Sequence, residues 1–355
     1  MGEVCADIIV PMRDRPKVFD GTIPWCRIED IEGMYFNTSQ SGLMVSDKVI
    51  NKMNLKVFPT GTVICSCSAT LGVCAINTRP LITNQTFIGL VCSEKILNRF
   101  LYYYMLTRKK ELLSLSTTGT IPYVSRAKFE TMLIPIPSLS EQQRIVSILD
   151  TFTSSISNLK QQIEERRKQY EYERDLLLDL EGKEGVEMKK LGDVCKLERG
   201  VRVVKKDLQE EGIIPVYQNS LTPLGYYDKS NYPENTTFVI CAGAAGEVGF
   251  SNKAFWAADD CTCVVCPDFI HGKFIFHYLI SNQRLLKSQV RKASVPRLSK
   301  DVIGKLIVPF PSLEAQSRIV SILDTFEQSI ANLEEQLAMR EKQYEYYRNQ
   351  LLTFE

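Results

Sequence analysis

Two long stretches of the chain carry apolar residues at alternating spacings of four and three, with polar positions between them. This spacing is typical of a helix with one apolar seam. An arginine interrupts each seam, Arg166 in the first and Arg340 in the second, and Tyr170 and Tyr344 continue it. About 40 residues at ~1.5 Å rise per residue predict a rod of roughly 60 Å for each helix. The predicted seam positions are Ile145, Leu149, Phe152, Ile156, Leu159 and Ile163, then Ile319, Leu323, Phe326, Ile330, Leu333 and Leu337.

The two predicted helices are copies of one sequence. Residues 137–177 and 311–351 align without a gap at an offset of 174, with 26 of 41 positions identical and nine of these consecutive. An internal repeat of this length predicts two copies of one structural plan. The weaker upstream matches are 119–137 with 293–311, 2–5 with 192–195, and 21–25 with 212–216.

The start and the packing of the long helices can also be predicted. Ser140 with Gln143 has the spacing of a capping box, which predicts the start of the first helix just after a proline-rich stretch.

The apolar seam has two interpretations. A single amphipathic helix more often packs against its own globular domain, whereas two near-identical seams in one chain favour pairing of the two helices with each other.

The segments outside the helices mix strand and helix patterns. Short runs rich in Val, Ile, Thr and Phe alternate with Gly, Pro and Asn, and each segment ends in an amphipathic helix. Because no regular alternation of strands and helices is present, a doubly wound parallel sheet is not supported. We predict an α+β protein with two pseudo-symmetric mixed α/β domains and two long helices. The predicted boundaries are 1–137 and 182–311 for the domains, 138–181 for the central helix and 312–355 for the C-terminal helix.

Composition narrows the class of protein. The chain has 355 residues, 44% of them hydrophobic and 24% charged, which suits a soluble protein of about two domains. No apolar run approaches the ~20 residues of a membrane helix, and residues 1–14 lack the pattern of a secretory signal. We therefore expect a cytoplasmic protein whose 11 cysteines are reduced thiols.

The net charge of +1 is a cancellation between segments. Residues 1–137 hold 15 basic and 11 acidic groups, and residues 182–311 hold 18 and 14, so each predicted domain carries +4. The two helices carry −3 and −4. Two basic domains joined by long helices suit a DNA duplex, because phosphate neutralisation supplies affinity. A solvated basic surface without a ligand is the alternative. The basic clusters are Arg13, Arg15 and Lys17; Arg199, Arg202, Lys205 and Lys206; and Arg291, Lys292 and Arg297.

Catalytic motifs are not found in the sequence. No G-x-x-x-x-G-K-[ST] loop occurs, and AGAAGEVGF at 242–250 does not fit G-x-G-x-x-G. The Asn-Pro-Pro-aromatic tetrad of DNA-adenine methyltransferases is missing, since NYPEN at 231–235 lacks the double proline. With two histidines in the chain, little material remains for a histidine-dependent triad. We therefore predict a protein that is not itself an enzyme.

A zinc site is the strongest alternative chemistry, because thiolates and imidazoles at short spacing hold zinc. However, Cys261 and Cys263 alternate with Thr262 as in a buried strand, where a free cysteine acts as a small hydrophobic residue. At the offset of 174, only one of the candidate cysteines falls on a cysteine of the first copy, so we predict no metal. The candidate zinc ligands are Cys261, Cys263, Cys266, His271 and His277.

Two loops carry polar residues at matching places of the two copies. The loop at 83–87 and the pair Asp259–Asp260 are interpreted equally well as functional groups or as turn residues.

The repeated segment resembles the specificity (S) subunit of Type I restriction-modification systems. The motif P-S-L-x-x-Q-x-R-I-V-S-I-L-D-T-F occurs at residues 137–152 and again at 311–326. A G-[ED]-V-C opening stands at Gly2 and again at Gly192. The resemblance covers essentially the whole chain, strongly in the helices and weakly in the variable segments.

Two details depart from a regular repeat. A T-[GA]-x-[IV]-P loop precedes the first helix at residues 118–122, but its counterpart at 292–296 begins with Lys292. The first copy starts at Met1, without the residues that precede Gly192, so we expect its first strand to be slightly short.

The resemblance implies two target-recognition domains, 1–137 and 182–311, each reading one half of a bipartite sequence in double-stranded DNA. It implies that the shared helices pair as an antiparallel coiled coil, a spacer that sets the number of unspecified base pairs. Such subunits need no cofactor themselves. They recruit two methyltransferase subunits, which bind S-adenosylmethionine, and restriction subunits that translocate DNA with ATP and Mg²⁺, in the cytoplasm of a bacterium or archaeon.

Three functional hypotheses follow. The leading one is a non-catalytic DNA-reading subunit whose domains dock about one helical turn of DNA (~34–36 Å) or somewhat more apart. The second is a coiled-coil protein–protein adaptor with basic globular domains, and the third is an autonomous nuclease or methyltransferase. For the leading hypothesis, the expected DNA contacts are Arg13, Arg15, Arg27, Thr120 and Tyr123 in the first domain and Arg202, Lys205, Asn219, Ser220 and Arg297 in the second.

Overall fold

The computed structural model describes residues 1–117, 120–204, 206 and 208–354. The chain divides into two compact units. Unit 1 comprises Met1–Asn158 and Leu337–Glu355, and unit 2 comprises Leu159–Gln336. Each unit therefore contains one variable segment and a part of each long helix.

Unit 1 combines short strands with short helices. Its strands are β1 (Cys5–Ile9), β2 (Ile23–Cys26), β3 (Tyr35–Phe36), β4 (Met44–Val45), β5 (Val63–Ser66), β6 (Cys74–Asn77), β7 (Ile82–Thr83) and β8 (Phe87–Cys92). Its helices are α1 (Asp47–Met53), α2 (Asn98–Thr107), α3 (Lys109–Leu115) and α4 (Arg126–Thr131), with a 3-10 turn at Ile28–Asp30.

Two sheets form unit 1. The larger has the order β1-β8-β5-β6-β3, and the smaller has the order β4-β2-β7. Strand β5 is buried along its whole length, as its Val-Ile-Cys run predicts for a central strand covered on both faces. Strands β2 and β7 are parallel, with Trp25 opposite Ile82. This parallel pair joins two segments that are distant in sequence at one edge of the unit.

Unit 2 repeats this plan. Its strands are β9 (Glu187–Lys190), β10 (Lys196–Arg199), β11 (Ile214–Tyr217), β12 (Gly225–Tyr227), β13 (Thr236–Ile240), β14 (Val248–Ser251), β15 (Trp256–Ala257), β16 (Cys261–Val265) and β17 (Ile307–Phe310). Its short helices are α6 (Leu191–Val194), α7 (Gly272–Ser281), α8 (Gln283–Ser288) and α9 (Lys300–Gly304).

The first two sheets of unit 2 correspond to those of unit 1, although no described strand corresponds to the edge strand β3, and unit 2 has a third, two-stranded sheet. The three orders in unit 2 are β10-β16-β13-β14, β12-β11-β15 and β17-β9. Strands β11 and β15 are parallel, with Val216 opposite Trp256, as Trp25 is opposite Ile82 in unit 1. The helix at 98–107 in unit 1 returns as α7 at 272–281, an offset of 174. The sequence repeat is therefore a repeat of structure as well.

The long helices are α5 (Leu139–Leu178) and α10 (Leu313–Leu351). Their first turns pack into the globular cores: Ile145 and Leu149 belong to the main core of unit 1, and Ile319 and Leu323 belong to that of unit 2. Both interpretations of the apolar seam thus apply, each to a different part of the helix. The other predicted seam residues are half-buried, apart from the buried Ile163: Phe152, Ile156, Leu159, Phe326, Ile330, Leu333 and Leu337.

The two long helices pack against each other in both units, and in unit 2 they run antiparallel, because Arg167 contacts Glu334 while Tyr170, one turn later, contacts Glu327. In unit 1, Phe152 of α5 stacks on Tyr347 of α10 with 5.3 Å between ring centroids, and the Arg340 guanidinium lies 5.7 Å from the Phe152 ring. In unit 2, the Arg166 guanidinium lies 5.9 Å from the ring of Phe326. The arginines that interrupt the seams thus cover phenylalanines of the opposite helix, where their charge is stabilised by the ring faces.

The predicted capping box at Ser140 is wrong. Helix α5 already begins at Leu139, so Ser140 lies in its first turn. The cap is Ser138, whose hydroxyl oxygen accepts a hydrogen bond from the Glu141 N–H at 3.3 Å, and Ser312 does the same at the start of α10. Pro137 holds the residue before it in extended backbone, and Ser138 directly after it has a hydroxyl that can cap the helix.

The expectation of a short first strand is also wrong. Strand β1 has five residues and pairs with β8, as the four-residue β10 pairs with β16. The difference lies elsewhere: β17 pairs with β9 in unit 2, whereas the equivalent segment 133–136 of unit 1 pairs with no described strand. Leu133 is consequently 85% exposed.

Two further properties bear on the sequence predictions. In the described part of the chain, no helix is long and apolar enough to cross a membrane. None of the cysteines is exposed, and all 11 are free thiols. Burial raises the pKa of the Cys26 and Cys67 thiols to about 12, so these groups keep their protons at neutral pH.

Candidate nucleic-acid interface

Three of the arginines predicted to contact DNA come together in unit 1. Arg13, Arg15 and Arg27 line one cavity of 330 Å³. Its opposite wall is the loop between β7 and β8, represented by Asn84 and Gln85. The parallel pairing of β2 with β7 creates this arrangement, because it places the chain after residue 26 beside the chain after residue 83.

A buried tryptophan organises the arginines. The Arg15 and Arg27 guanidinium carbons lie 5.2 and 6.0 Å from the centre of the Trp25 ring. Arg27 also forms an ion pair of 2.8 Å with Glu29 and donates a hydrogen bond to the Ser41 hydroxyl at 3.2 Å. Cation–π contacts hold guanidinium groups in place without neutralising them. Arg15 therefore keeps its full charge for an anionic ligand.

Hydrogen bonds of Asn84 and Thr86, on either side of Gln85 at the tip, hold the loop at 83–86 in place. The Thr86 hydroxyl donates to the Asn84 side-chain oxygen at 2.6 Å, and the Cys67 N–H donates to the Thr86 carbonyl at 2.8 Å. The side chain of Gln85 is exposed and makes no hydrogen bond to a described residue. Asn84 is thus a turn residue, as one of the two interpretations of this loop predicts, whereas Gln85 has no such role.

Tyr123 lies next to this loop. It forms an antiparallel bridge with Ser68, one residue after Cys67, whose Sγ lies 3.8 Å from the Gln85 carbonyl oxygen. Tyr123 is 39% exposed, and Thr120 is exposed in the bend before it. Residues 118 and 119, the first two positions of the predicted T-G-x-I-P loop, lie outside the described residues.

Unit 2 assembles three of its predicted contacts at the equivalent place. Arg297 bridges Ala242, and the Ala244 N–H donates to the Asn219 carbonyl at 2.9 Å, which brings the segment of Asn219 and Ser220 beside that of Arg297. The Ser220 hydroxyl donates to the Thr222 carbonyl at 3.0 Å. Residue 297 is 174 positions after Tyr123, so the bridge in each unit uses the same pair of positions.

Arg202 is exposed in the segment that follows β10. Its neighbour Val201 is fixed, because the Val201 N–H donates to the Ala257 carbonyl at 2.9 Å and the Val201 carbonyl accepts from the Trp256 indole at 2.8 Å. Lys205 lies outside the described residues.

Apart from Arg297, the residues that complete these clusters were not among the expected DNA contacts, although the loop at 83–87, the pair Asp259–Asp260 and Arg199 were considered in the sequence. A cavity of 160 Å³ in unit 2 is lined by Arg199, Arg297 and Lys300 together with Asp259 and Asp260. Gln85 of unit 1 is absent from the predicted contacts as well. The offset of 174 already carried the signal, since it places Gln85 on Asp259.

The five candidate zinc ligands are dispersed in unit 2. Cys261 and Cys263 lie in the core beside β13, where burial raises their pKa, while His271 caps α7 through a 3.2 Å bond from the Lys273 N–H. The structure therefore does not bring together the alternative zinc ligands considered in the sequence, because the strand and the helix cap separate them. His277 lies in a different group.

His277 faces two carboxylates of α10. Its ring nitrogens lie 3.8 Å from an Asp324 oxygen and 3.9 Å from a Glu327 oxygen, and the Tyr170 hydroxyl lies 3.2 Å from Nδ1. The Lys273 ammonium contacts both carboxylates, at 2.5 and 2.8 Å. Lysine thus already supplies the positive charge that a metal ion would bring. Burial lowers the pKa of His277 to about 4.

Comparison with known proteins gives consistent matches. A family model described as Type I restriction modification DNA specificity domain matches residues 11–166 and again residues 183–339. The Type I restriction enzyme MjaIX specificity subunit of Methanocaldococcus jannaschii is 29% identical over 231 residues, 59% of this chain and 53% of that protein, so the chain spans about half of that relative's length. The Type I restriction enzyme EcoprrI specificity subunit of Escherichia coli is 27% identical over 332 residues, 87% of this chain and 81% of that protein.

A solved structure supports the fold. The crystal structure of a Type I restriction-modification system S subunit from M. genitalium matches with a TM-score of 0.67, covering 100% of this chain and 95% of that chain at 17% identity. The predicted α+β class, with two mixed domains and two long helices, is confirmed. The names of the relatives agree with the prediction of a specificity component rather than an enzyme. Because the family model matches both halves of the chain, this protein belongs to the family of Type I restriction-modification DNA specificity subunits.

Proposed function

We propose that this chain reads a bipartite target in double-stranded DNA, with residues 1–137 and 182–311 as its two target-recognition domains. The observation that carries the proposal is a cluster of exposed or half-exposed cations beside the equivalent loop of each unit, supplied by different sequence positions in the two units. Cations at the rim neutralise phosphates and position the domain, while side chains of the loop between them reach base edges.

We further propose that the helices at 138–181 and 312–355 act as a spacer and as the docking site for two methyltransferase subunits and for the restriction subunits. The acidic charge of both helices supports this division of labour, because a −3 or −4 segment is repelled by phosphate and suits a protein partner better. S-adenosylmethionine, ATP and Mg²⁺ belong to those partners, and the complex works in the cytoplasm.

Salt dependence of DNA binding tests the role of the cations. The chain is co-expressed with the methyltransferase subunit of its host, and binding to a labelled duplex is measured between 50 and 200 mM salt, a range that changes affinity by about 10³–10⁵ for 6–10 phosphate contacts. Arg13→Ala and Arg202→Ala should each lower the slope of log affinity against log salt by about one. Lys168→Ala, which removes an exposed cation paired with Glu164 on α5, is the control and should leave the slope unchanged.

The adaptor hypothesis predicts no salt-dependent DNA binding and therefore no effect of Arg13→Ala or Arg202→Ala. Domain exchange then tests independent reading. Replacing residues 1–137 with the corresponding domain of a relative should change one half of the methylated sequence, and inserting one heptad in both helices should lengthen the gap between unchanged halves. A change in both halves after the exchange would contradict independent reading.

A further inference from the structure

We infer that the loop before β8 and the loop before β16 are base-reading loops, in which Gln85 selects adenine for one half-site and Asp259 selects cytosine for the other. The inference rests on the proposed function, because it assumes that each unit docks on DNA. It goes further by assigning one base contact in each half-site to a named side chain of this chain.

The backbones of the two loops are held by the same hydrogen bonds. The Cys67 N–H donates to the Thr86 carbonyl at 2.8 Å, and the Cys241 N–H donates to the Asp260 carbonyl at 2.6 Å. Each loop also starts from a short parallel strand, β7 or β15, that pairs with equivalent residues of β2 or β11. Equal anchoring places residue 85 of unit 1 and residue 259 of unit 2 at the same point of the fold.

The residues before and after the tip serve the loop itself. In unit 1, Asn84 accepts the hydrogen bond of the Thr86 hydroxyl at 2.6 Å. In unit 2, the Asp260 carboxylate accepts from the Gln218 amide at 3.4 Å. No described residue forms a hydrogen bond with the side chain of Gln85 or Asp259. These side chains are therefore the members of each loop that remain available to a ligand.

The surroundings of both tips are basic. Gln85 shares its cavity with Arg13, Arg15 and Arg27. Asp259 shares its cavity with Arg199, Arg297 and Lys300, and the Arg199 side chain donates to the Asp259 carbonyl oxygen at 2.6 Å. A carboxylate near phosphates is unfavourable unless cations offset it and a donor meets it. This arrangement gives Asp259 the cations and leaves the donor to the DNA.

The side-chain chemistry selects the base. A glutamine amide both donates and accepts, which matches the N6 and N7 edge of adenine in the major groove. A carboxylate only accepts, which matches the N4 amino group of cytosine. The same loop position thus reads different bases in the two half-sites because its side chain differs while its backbone does not.

Exchange of the two side chains tests the inference. The full chain, in complex with the methyltransferase subunit of its host, is incubated with a library of randomised duplexes, and bound sequences are read for wild type, Gln85→Asp and Asp259→Gln. The first variant should change preference from adenine to cytosine at one position of one half-site, and the second from cytosine to adenine at one position of the other. Each change should be about 5- to 150-fold. Gln289→Asp and Asp268→Gln, which exchange exposed side chains outside the two loops and outside the long helices, are matched controls and should change no position.

The outcomes separate this inference from the proposed function. A wild-type complex that selects no bipartite sequence would contradict the proposed function and the inference with it. Wild-type selection that survives unchanged in both exchange variants would overturn the inference alone. For a variant that no longer binds, Gln85→Ala or Asp259→Ala is used with thermal unfolding as a check of folding. A folded alanine variant should accept any base at one position, and unchanged preference would overturn the inference.

Discussion

Replacement of Gln142 tests how the long helix is joined to its domain. This side chain is 0% exposed, and it satisfies three backbone groups. Its oxygen accepts from the Leu97 N–H at 2.8 Å, and its nitrogen donates to the carbonyls of Lys95 at 3.0 Å and Pro137 at 2.9 Å. Gln316 makes the equivalent bonds in unit 2, to His271, Phe269 and Pro311. One buried amide thus links the start of each long helix to the chain about 45 residues before it.

The cost of losing this amide follows from those three bonds. Each buried backbone group left unpaired costs about 1–3 kcal/mol, and water entering the space offsets part of the sum. We expect Gln142→Ala to lower the free energy of unfolding of unit 1 by about 3–5 kcal/mol, a large part of the ~5–15 kcal/mol typical of a domain. Gln142→Glu keeps the volume but loses both N–H donors, so it should cost a comparable amount without leaving a cavity.

Urea denaturation measures the effect in one unit at a time. The chain has two tryptophans, Trp25 in unit 1 and Trp256 in unit 2, so a Trp256→Phe background leaves fluorescence that reports unit 1. Gln143→Ala is the matched control, because Gln143 is the exposed neighbour whose side chain lies 3.4 Å from the Ser147 hydroxyl. If Gln142→Ala costs no more than about 0.5 kcal/mol beyond this control, within the range of ordinary surface substitutions, the account of the buried amide is wrong.

Four further predictions concern stability and thiol chemistry. Burial lowers the pKa of His277 to about 4 in the folded chain, so the unfolded chain takes up a proton first as the pH falls. The free energy of unfolding of unit 2, measured by Trp256 fluorescence in urea, should therefore fall by up to about 3 kcal/mol between pH 6.5 and 4. His277→Gln should flatten this pH dependence. Leu149→Ala should lower the free energy of unfolding by about 2–5 kcal/mol, because the side chain is fully buried. Leu159→Ala, at a half-buried position, should lower it distinctly less. Equal losses in urea denaturation would contradict the conclusion that only the first part of the helix packs into a globular core. Arg167→Ala breaks an exposed ion pair and should change the free energy of unfolding by less than about 1 kcal/mol. A thiol reagent at pH 8 should label the native protein slowly and all 11 cysteines after unfolding; a lower final count would indicate disulfides.

The long helices could be predicted almost completely from sequence, because the apolar spacing occurs twice and each copy supports the other. The observed bounds, Leu139–Leu178 and Leu313–Leu351, fall within three or four residues of the predicted ones. The cap was misplaced by two residues, since two serines stand near the helix start and only the position after Pro137 has the geometry to cap it. A local pattern determines a helix well but its first residue poorly.

The candidate site was only partly predictable. Arg13, Arg15 and Arg27 were identified by their charge, and the loop at 83–87 was named as a possible functional loop. That the two lie together was not predicted, because a parallel strand pair joins segments that lie more than 50 residues apart. Periodicity reports which residues form an element and says nothing of which elements pair at long range. In unit 2, Arg199 was part of a basic cluster in sequence, yet the fold places it with Asp259 and Arg297.

The paired positions of the two units separate structural roles from reading roles. At the start of the long helices, where one side chain joins the helix to its domain, both units keep the same residue, Gln142 and Gln316. Where a side chain projects from a loop with the same backbone bonds, the residues differ, as with Gln85 and Asp259. Packing depends on the fold alone and constrains both units equally, whereas two half-sites of different sequence require different side chains on one scaffold. Positions with a shared backbone and different side chains that form no hydrogen bond to described residues are therefore the ones whose substitution should change sequence preference while leaving the free energy of unfolding nearly constant.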